Sequence, residues 1–233
     1  MKQAISRLVV GLVMALSLCA PVAAQWVVPP GGSMDVAAGG DVDLGCIGLD
    51  VQGALNFNGG TLSVDTDVNF GAGATVTGTS GTISVGGNIT AGGSISIGNN
   101  SVVLRDGCDP GNSTQISGNF VFQNLTLTST TGRTFVIPAG ANITVLGTLT
   151  LQGAPGQNIQ LVSSGGGTAV INLGPSATVT RNNATVNGGV QIGAAPSTTS
   201  IPTLSEYGLM LMALLIGFAT LWQHRRGAGA RRS

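Results

Sequence analysis

Residues 142–153 read NITVLGTLTLQG, and the placing of Ile143, Val145, Leu149 and Leu151 within them decides the fold. Apolar side chains at alternate positions line one face of a pleated strand, whereas a helical face would need them three or four residues apart. The same alternation recurs at Thr61–Val64 (TLSV), Thr82–Val85 (TISV), Ser94–Ile97 (SISI) and Leu125–Leu127 (LTL). Gly-Gly, Gly-Asn and Gly-Ala pairs fall between these runs and supply the turns. From Val36 to Ile192 the pattern predicts roughly a dozen short strands. This region holds neither Lys nor Glu, so a helix there would lack a solvated face.

Two architectures bury such strands: a sandwich or barrel, and a coil of stacked turns. A sandwich core wants large side chains, but here the apolar residues are mostly small. The aromatics are few: Trp26, Phe57, Phe70, Phe120, Phe122 and Phe135. Short motifs also repeat, Gly-Thr-Leu at 60–62 and 147–149 and Asn-Ile-Thr at 88–90 and 142–144, as stacked coils would produce. The expected fold is therefore all-β, a right-handed parallel β-helix (solenoid) over residues 25–193. Each coil would touch only its neighbours, so the two ends need caps.

Composition narrows the function classes. Gly is 38 of 233 residues without a Gly-X-Y period, which excludes collagen. Val, Ile and Leu recur throughout and charge is sparse, the opposite of a disordered composition. Between Gln25 and Ser200 three arginines (Arg105, Arg133, Arg181) face eight aspartates, a net charge of −5. No basic stripe is available for a nucleic-acid backbone, and that partner class is rejected.

Both ends carry targeting signals. Lys2 and Arg7 precede the apolar run Leu8–Leu18, and Val22-Ala23-Ala24 supplies the small residues that signal peptidase requires. Residues 1–24 thus read as a signal peptide cut between Ala24 and Gln25. Cys19 is a poor lipidation site because Leu18, not a small residue, precedes it, and the cut would discard it. At the other end, Tyr207–Trp222 is apolar on every face, about 24 Å long as a helix and just under the ~30 Å of a bilayer core. His224, Arg225, Arg226, Arg231 and Arg232 follow within the basic end 223–233, which marks the cytoplasmic side. Residues 207–222 are read as one transmembrane helix, and Ala194–Ser200 as a flexible spacer by composition.

The residues leading into that helix, Ile201-Pro202-Thr203-Leu204-Ser205-Glu206-Tyr207-Gly208, with the apolar run and Arg cluster behind them, resemble the IPTL-CTERM sorting domain of Gram-negative surface proteins. The family usually has Trp after the Glu, where this chain has Tyr207. The resemblance covers about thirty residues. It implies recognition by an exosortase-like membrane peptidase that cuts near 201–204. The simpler alternative is a permanent anchor. Phe122–Leu127, Gly147–Gly153 and Ile159–Ser164 are in turn similar to repeat units of β-helical, adhesin-like bacterial surface proteins.

Cys46 and Cys108 are the only cysteines beyond the signal peptide. Export would place them in an oxidising space, so a disulfide is expected, with two separate buried thiols as the alternative. Closing a loop of about 60 residues contributes on the order of 4 kcal/mol.

Catalysis finds little support. The only His is His224, so the body has no His-based triad and no His metal ligand. Arg105, Asp106 and Asp109 around Cys108 form the one local cluster of charges, and Asp-Gly and Asp-Pro-Gly there read as a turn. Asp41-x-Asp43 and Asp65-x-Asp67 would put paired carboxylates on one strand face, a weak Ca²⁺ site at most and more simply solvated edge residues. Gly71–Thr75 lacks the third Gly and the helix of a dinucleotide loop. Asn88, Asn112, Asn124, Asn142 and Asn183 match glycosylation sequons but read as turn and ladder asparagines. No cofactor is expected.

The expected function is a non-enzymatic surface or matrix protein, with polysaccharide or matrix material as its contact. The alternatives are a membrane-anchored carbohydrate-active β-helix enzyme and a pilin-like filament subunit, which would self-associate through its uncapped end. A groove of convergent Asp and Arg side chains would favour the enzyme, and a smooth Thr/Asn-lined face the structural role.

Overall fold

The computed structural model describes residues 24–108 and 111–193. The remainder of the signal peptide, the spacer, the sorting motif, the apolar run at 207–222 and the basic end all lie outside the described residues. So does Asp109.

Seventeen strands wind into a parallel β-solenoid of about seven turns, and the described residues contain no helix. The strands fall on three faces. The first stacks β1 (Gln25–Val28), β4 (Gly48–Val51), β6 (Val68–Phe70) and the start of β8 (Ile89–Ser96). It continues through the start of β10 (Ser113–Ser129), β11 (Thr134–Pro138), β13 (Ile159–Ser164) and β16 (Ala184–Val186). The second begins with β2 (Ser33–Val36) and the first halves of β5 (Ala54–Val64) and β7 (Thr75–Val85). It also holds the second half of β8, the middle of β10, the first half of β12 (Asn142–Gly153), β14 (Ala169–Leu173) and β17 (Val190–Ile192). The third stacks β3 (Asp41–Asp43), the second halves of β5 and β7, β9 (Ser101–Leu104), the end of β10, the second half of β12 and β15 (Thr178–Asn182). Every one of these pairings is parallel.

Alternation within each strand becomes columns running through the stack. On the third face Val42, Leu62, Ile83, Val102, Leu125, Leu149 and Val179 are successive register partners. Beside them run Val64, Val85, Leu104, Leu127 and Leu151, all fully buried. The repeated Gly-Thr-Leu puts Leu62 and Leu149 in one column, as a coil repeat should. The repeated Asn-Ile-Thr does not: Ile89 belongs to the first face and Ile143 to the second. That likeness reflects a shared strand-entry chemistry rather than a shared position.

The phenylalanines are the largest fully buried side chains of the coil. Phe57, Phe70, Phe120, Phe122 and Phe135 are all buried; Phe120 stacks on Phe122 at 5.1 Å between ring centroids and meets Phe70 edge-on at 6.1 Å. Trp26, on the first described turn, is instead 53% exposed.

Long strands turn from one face to the next without breaking. The register between β5 and β7 shifts at Asn58, and that between β10 and β8 shifts between Ser117 and Asn119. Two glycines show why those corners tolerate no side chain. Gly78 has φ +134° and a Cβ there would lie 2.1 Å from the Phe57 carbonyl oxygen; Gly118 has φ +101° and its Cβ would lie 2.4 Å from that of Ala91.

The sequence reading undercounted the strands. Strand β1 lies wholly before Val36, where the alternating pattern begins, because Trp26-Val27-Val28 is a continuous apolar run; β2 ends at Val36 itself. Asp65 and Asp67 also differ from expectation: they lie in the corner between β5 and β6, not on a strand face.

Leu127→Ala removes a fully buried link of a column and should cost about 3 kcal/mol of unfolding free energy in urea titration. Thr126→Ala, on the other side of the same strand, should cost well under 1 kcal/mol.

Candidate functional site

The polar residues of the solenoid gather at one corner and along the outer sides of its faces. At the corner after the third face, Gly45, Asp65 and Gly86 stack in successive turns, and residues 107–108 fold back against Asp65. Asp65 donates its backbone N–H to Gly45 O at 2.8 Å, and Cys108 donates its own to Asp65 O at 2.8 Å. A Cβ on Gly107 would lie 2.2 Å from the Asp65 carbonyl oxygen, so the turns approach here as closely as backbones can. Cys46 and Cys108 meet across this stack in a disulfide, with Cα atoms 5.7 Å apart and a sequence separation of 62. The bridge joins an early turn to a middle one.

Around the disulfide the charges are paired rather than presented. Arg105 forms an ion pair with Asp65, donates from Nε to Ser84 Oγ at 2.6 Å and from Nη1 to the Asp106 carbonyl at 2.9 Å. Asp106 accepts from Ser129 Oγ at 2.7 Å, from the Thr130 N–H at 2.8 Å, and from the Thr130 and Thr131 hydroxyls, each at 3.1 Å. Partial burial alone would raise its pKa; the four hydrogen bonds outweigh that and hold it below the usual aspartate value. Arg133, only 2% exposed, donates to Thr114 Oγ1 at 2.6 Å and to the carbonyls of Gly86 and Gly111 at 3.0 and 2.8 Å. Its Nε lies 3.7 Å from Asp106 Oδ1. Residues 105–108, read from sequence as a turn, thus anchor a polar plug between turns. Sequence reasoning missed Arg133 as its centre, because the partners lie 19 to 47 residues away.

The outer side of the first face carries a shallow groove lined by Gln25, Asp67, Asn69, Asn88, Thr90 and Gln115, among others. Its side chains form ladders: Asn69 Nδ2 and Gln52 Nε2 both donate to Asp50 Oδ1 at 2.8 Å, and Ser117 Oγ donates to Thr90 Oγ1 at 3.2 Å. The second face repeats the device, with Asn56 donating to Asp35 at 2.8 Å and Thr77 donating to Asn56 at 2.6 Å. The sequon asparagines take part in the same chemistry. Asn88 Oδ1 accepts from the Gln115 N–H at 2.7 Å, Asn124 Oδ1 from the Thr148 N–H at 3.0 Å, and Asn142 Oδ1 from Asn172 at 3.1 Å.

Of the paired aspartates, Asp43 Oδ1 accepts from the Gly45 N–H at 2.9 Å and Asp67 Oδ1 from the Asn88 N–H at 2.6 Å. Asp41 and Asp43 are exposed on β3. Among the described residues no three His, Cys, Asp or Glu side chains are grouped to hold a metal ion. Ala24 and Gln25, the expected signal-cleavage pair, stand at the entry to the coil: Gln25 opens β1, and the Ala24 carbonyl accepts from the Gly48 N–H at 3.1 Å.

These features define a parallel β-solenoid clamped by one disulfide and faced with polar ladders. Its C-terminal segment belongs to a known class of tail: residues 199–226 match the family described as the IPTL-CTERM motif. The match takes in Ile201 to Gly208 and the apolar run behind them, so the chain joins a sorting tail to a solenoid body. No curated protein and no solved structure matches the chain.

Two measurements check the corner. Replacing Cys46 and Cys108 together by Ala should lower stability by about 4 kcal/mol in denaturant titration. Asp106 contributes fully above about pH 4, its unfolded range, and its contribution is lost as pH falls through the lowered folded value. The stability gap between wild type and Asp106→Asn should therefore be widest near neutrality and narrow progressively below about pH 4.

Proposed function

We propose that the chain is an exported structural or adhesin-like protein of a bacterial surface or extracellular matrix, and that it has no enzymatic activity. Signal peptidase removes residues 1–24. The segment 207–222 then holds the chain in the inner membrane with its body outside the cytoplasm. An exosortase-like peptidase recognises Ile201 to Gly208, cuts near 201–204, and passes the solenoid to the cell surface or the medium. In this reading the coil is right-handed, the hand favoured by parallel strands joined by crossover connections.

One observation carries the reading: a sorting tail of the IPTL-CTERM family is attached to a body whose broad faces are ladders of Asn, Thr, Ser and Gln. Of the charges that sequence suggested for an enzyme, Arg105 and Asp106 are engaged with neighbouring side chains and backbone groups. Asp106 uses both carboxylate oxygens on Ser129, Thr130 and Thr131, which leaves it poorly suited to transfer protons to a substrate. Flat polar ladders suit repeated contact with polysaccharide or matrix polymers, whose hydroxyls can match a regular array of amides.

Mass spectrometry of the protein recovered from its native host tests the pathway. An N-terminus at Gln25 and a C-terminus within 201–204 are expected. A chain that still ends in Ser233 would leave a permanent anchor, and an intact Met1 would remove the export reading.

A further inference from the structure

Among the described residues, the first and last turns of the solenoid differ at one inward position. On the first turn the inward register positions are Trp26, Val28, Met34, Val36, Val42 and Leu44, apolar throughout. Trp26 is 53% exposed, and Met34, Val42 and Leu44 are half-buried. On the last turn the inward positions Val179, Ala184, Val186, Val190 and Ile192 are apolar too. The exception is Arg181. It is the register partner of Leu151 and so continues the column Val64, Val85, Leu104, Leu127 and Leu151. Where five apolar side chains predict a sixth, the chain places a guanidinium.

A parallel ladder can be lengthened only by setting the first turn of a second copy on the last turn of the first. The columns then dictate the register: Val179 would meet Val42, and Arg181 would meet Leu44. The guanidinium would be enclosed between Leu151 and Leu44 with no carboxylate in the column. Arg133 shows what this fold supplies to an enclosed arginine: a hydroxyl, two carbonyls and a nearby carboxylate. Arg181 has no hydrogen-bond or ion-pair partner among the described residues, and the whole of β15 is exposed. Enclosing an unpaired charge is strongly unfavourable, and an inward-pointing charge is a known way of blunting an edge strand. The opposite end is guarded differently. Asp35, Asp41 and Asp43 are exposed on the outer side of the first turn, so two first turns would bring like charges together.

We propose that Arg181 closes the C-terminal end of the solenoid to a second copy of the chain, and that its removal would let copies stack end to end. Among the described residues the last turn thus carries a charge at an inward position of its column. The inference concerns the body alone and stands whether or not the tail is cut.

The body suffices for the test, since residues 25–193 contain the whole core from Val28 to Val190. Analytical ultracentrifugation should find the wild-type body monomeric over a wide concentration range. Arg181→Leu, and independently Arg181→Val, should sediment as multiples of the monomer mass that grow with concentration and appear as fibres by electron microscopy. Trp26, the one tryptophan of the body, should shift its emission to the blue as the first turn is covered. Adding Val42→Arg to either variant should restore the monomer by placing a charge on the facing turn. The proposal is overturned if the wild type already assembles, if both variants stay monomeric, or if Val42→Arg fails to reverse the assembly.

Discussion

Every turn of this protein must place the same kind of side chain above its predecessor. Neighbouring parallel strands lie about 4.8 Å apart, so an inward residue packs directly on the inward residues of the turns before and after it. The column from Val42 through Leu62, Ile83, Val102, Leu125 and Leu149 to Val179 is that constraint in residue form. Small apolar side chains meet it, and Phe120 and Phe122 meet it by stacking ring on ring. Corners meet it differently. Backbones approach so closely at Gly78, Gly107 and Gly118 that a Cβ would strike a carbonyl oxygen.

A column of this kind leaves few places for charge, and the chain confines its charges accordingly. Arg105 and Arg133 lie beside the disulfide corner, where loops rather than strands stack and carbonyls are free to accept. Asp106 links the two by holding the Ser129–Thr131 turn while facing Arg133. Breaking such a plug leaves a buried cation behind, so its members depend on one another more than on their neighbours in sequence. The polar ladders outside work on a gentler scale. Each amide satisfies the next across one strand spacing, which gives a face that is regular, hydrated and nearly free of converging charge.

Much of this was legible in the order of residues. Alternation at Thr61–Val64, Thr82–Val85 and Asn142–Gly153 revealed strands, because period two is a local property of the chain. The tail motif at 201–208 was legible for the same reason: its residues are contiguous, and the family match covers them. The likeness between residues 88–90 and 142–144 misled, since three residues do not report which face they occupy. Asp65 and Asp67 were misplaced on a strand because a corner and a strand end have similar compositions.

What the sequence determined by itself was the all-β class, the coil rather than a large-residue core, and the sorting tail, each written in residues close together along the chain. Only the tertiary structure decided that Arg133 fills the polar corner, that Leu62 shares a column with Leu149, and that Arg181 falls where a leucine would complete the next turn. Those facts depend on coil length, which varies from one turn to the next. Residues that stack in space are separated by unequal stretches of chain, and no fixed spacing marks them until the coil is wound.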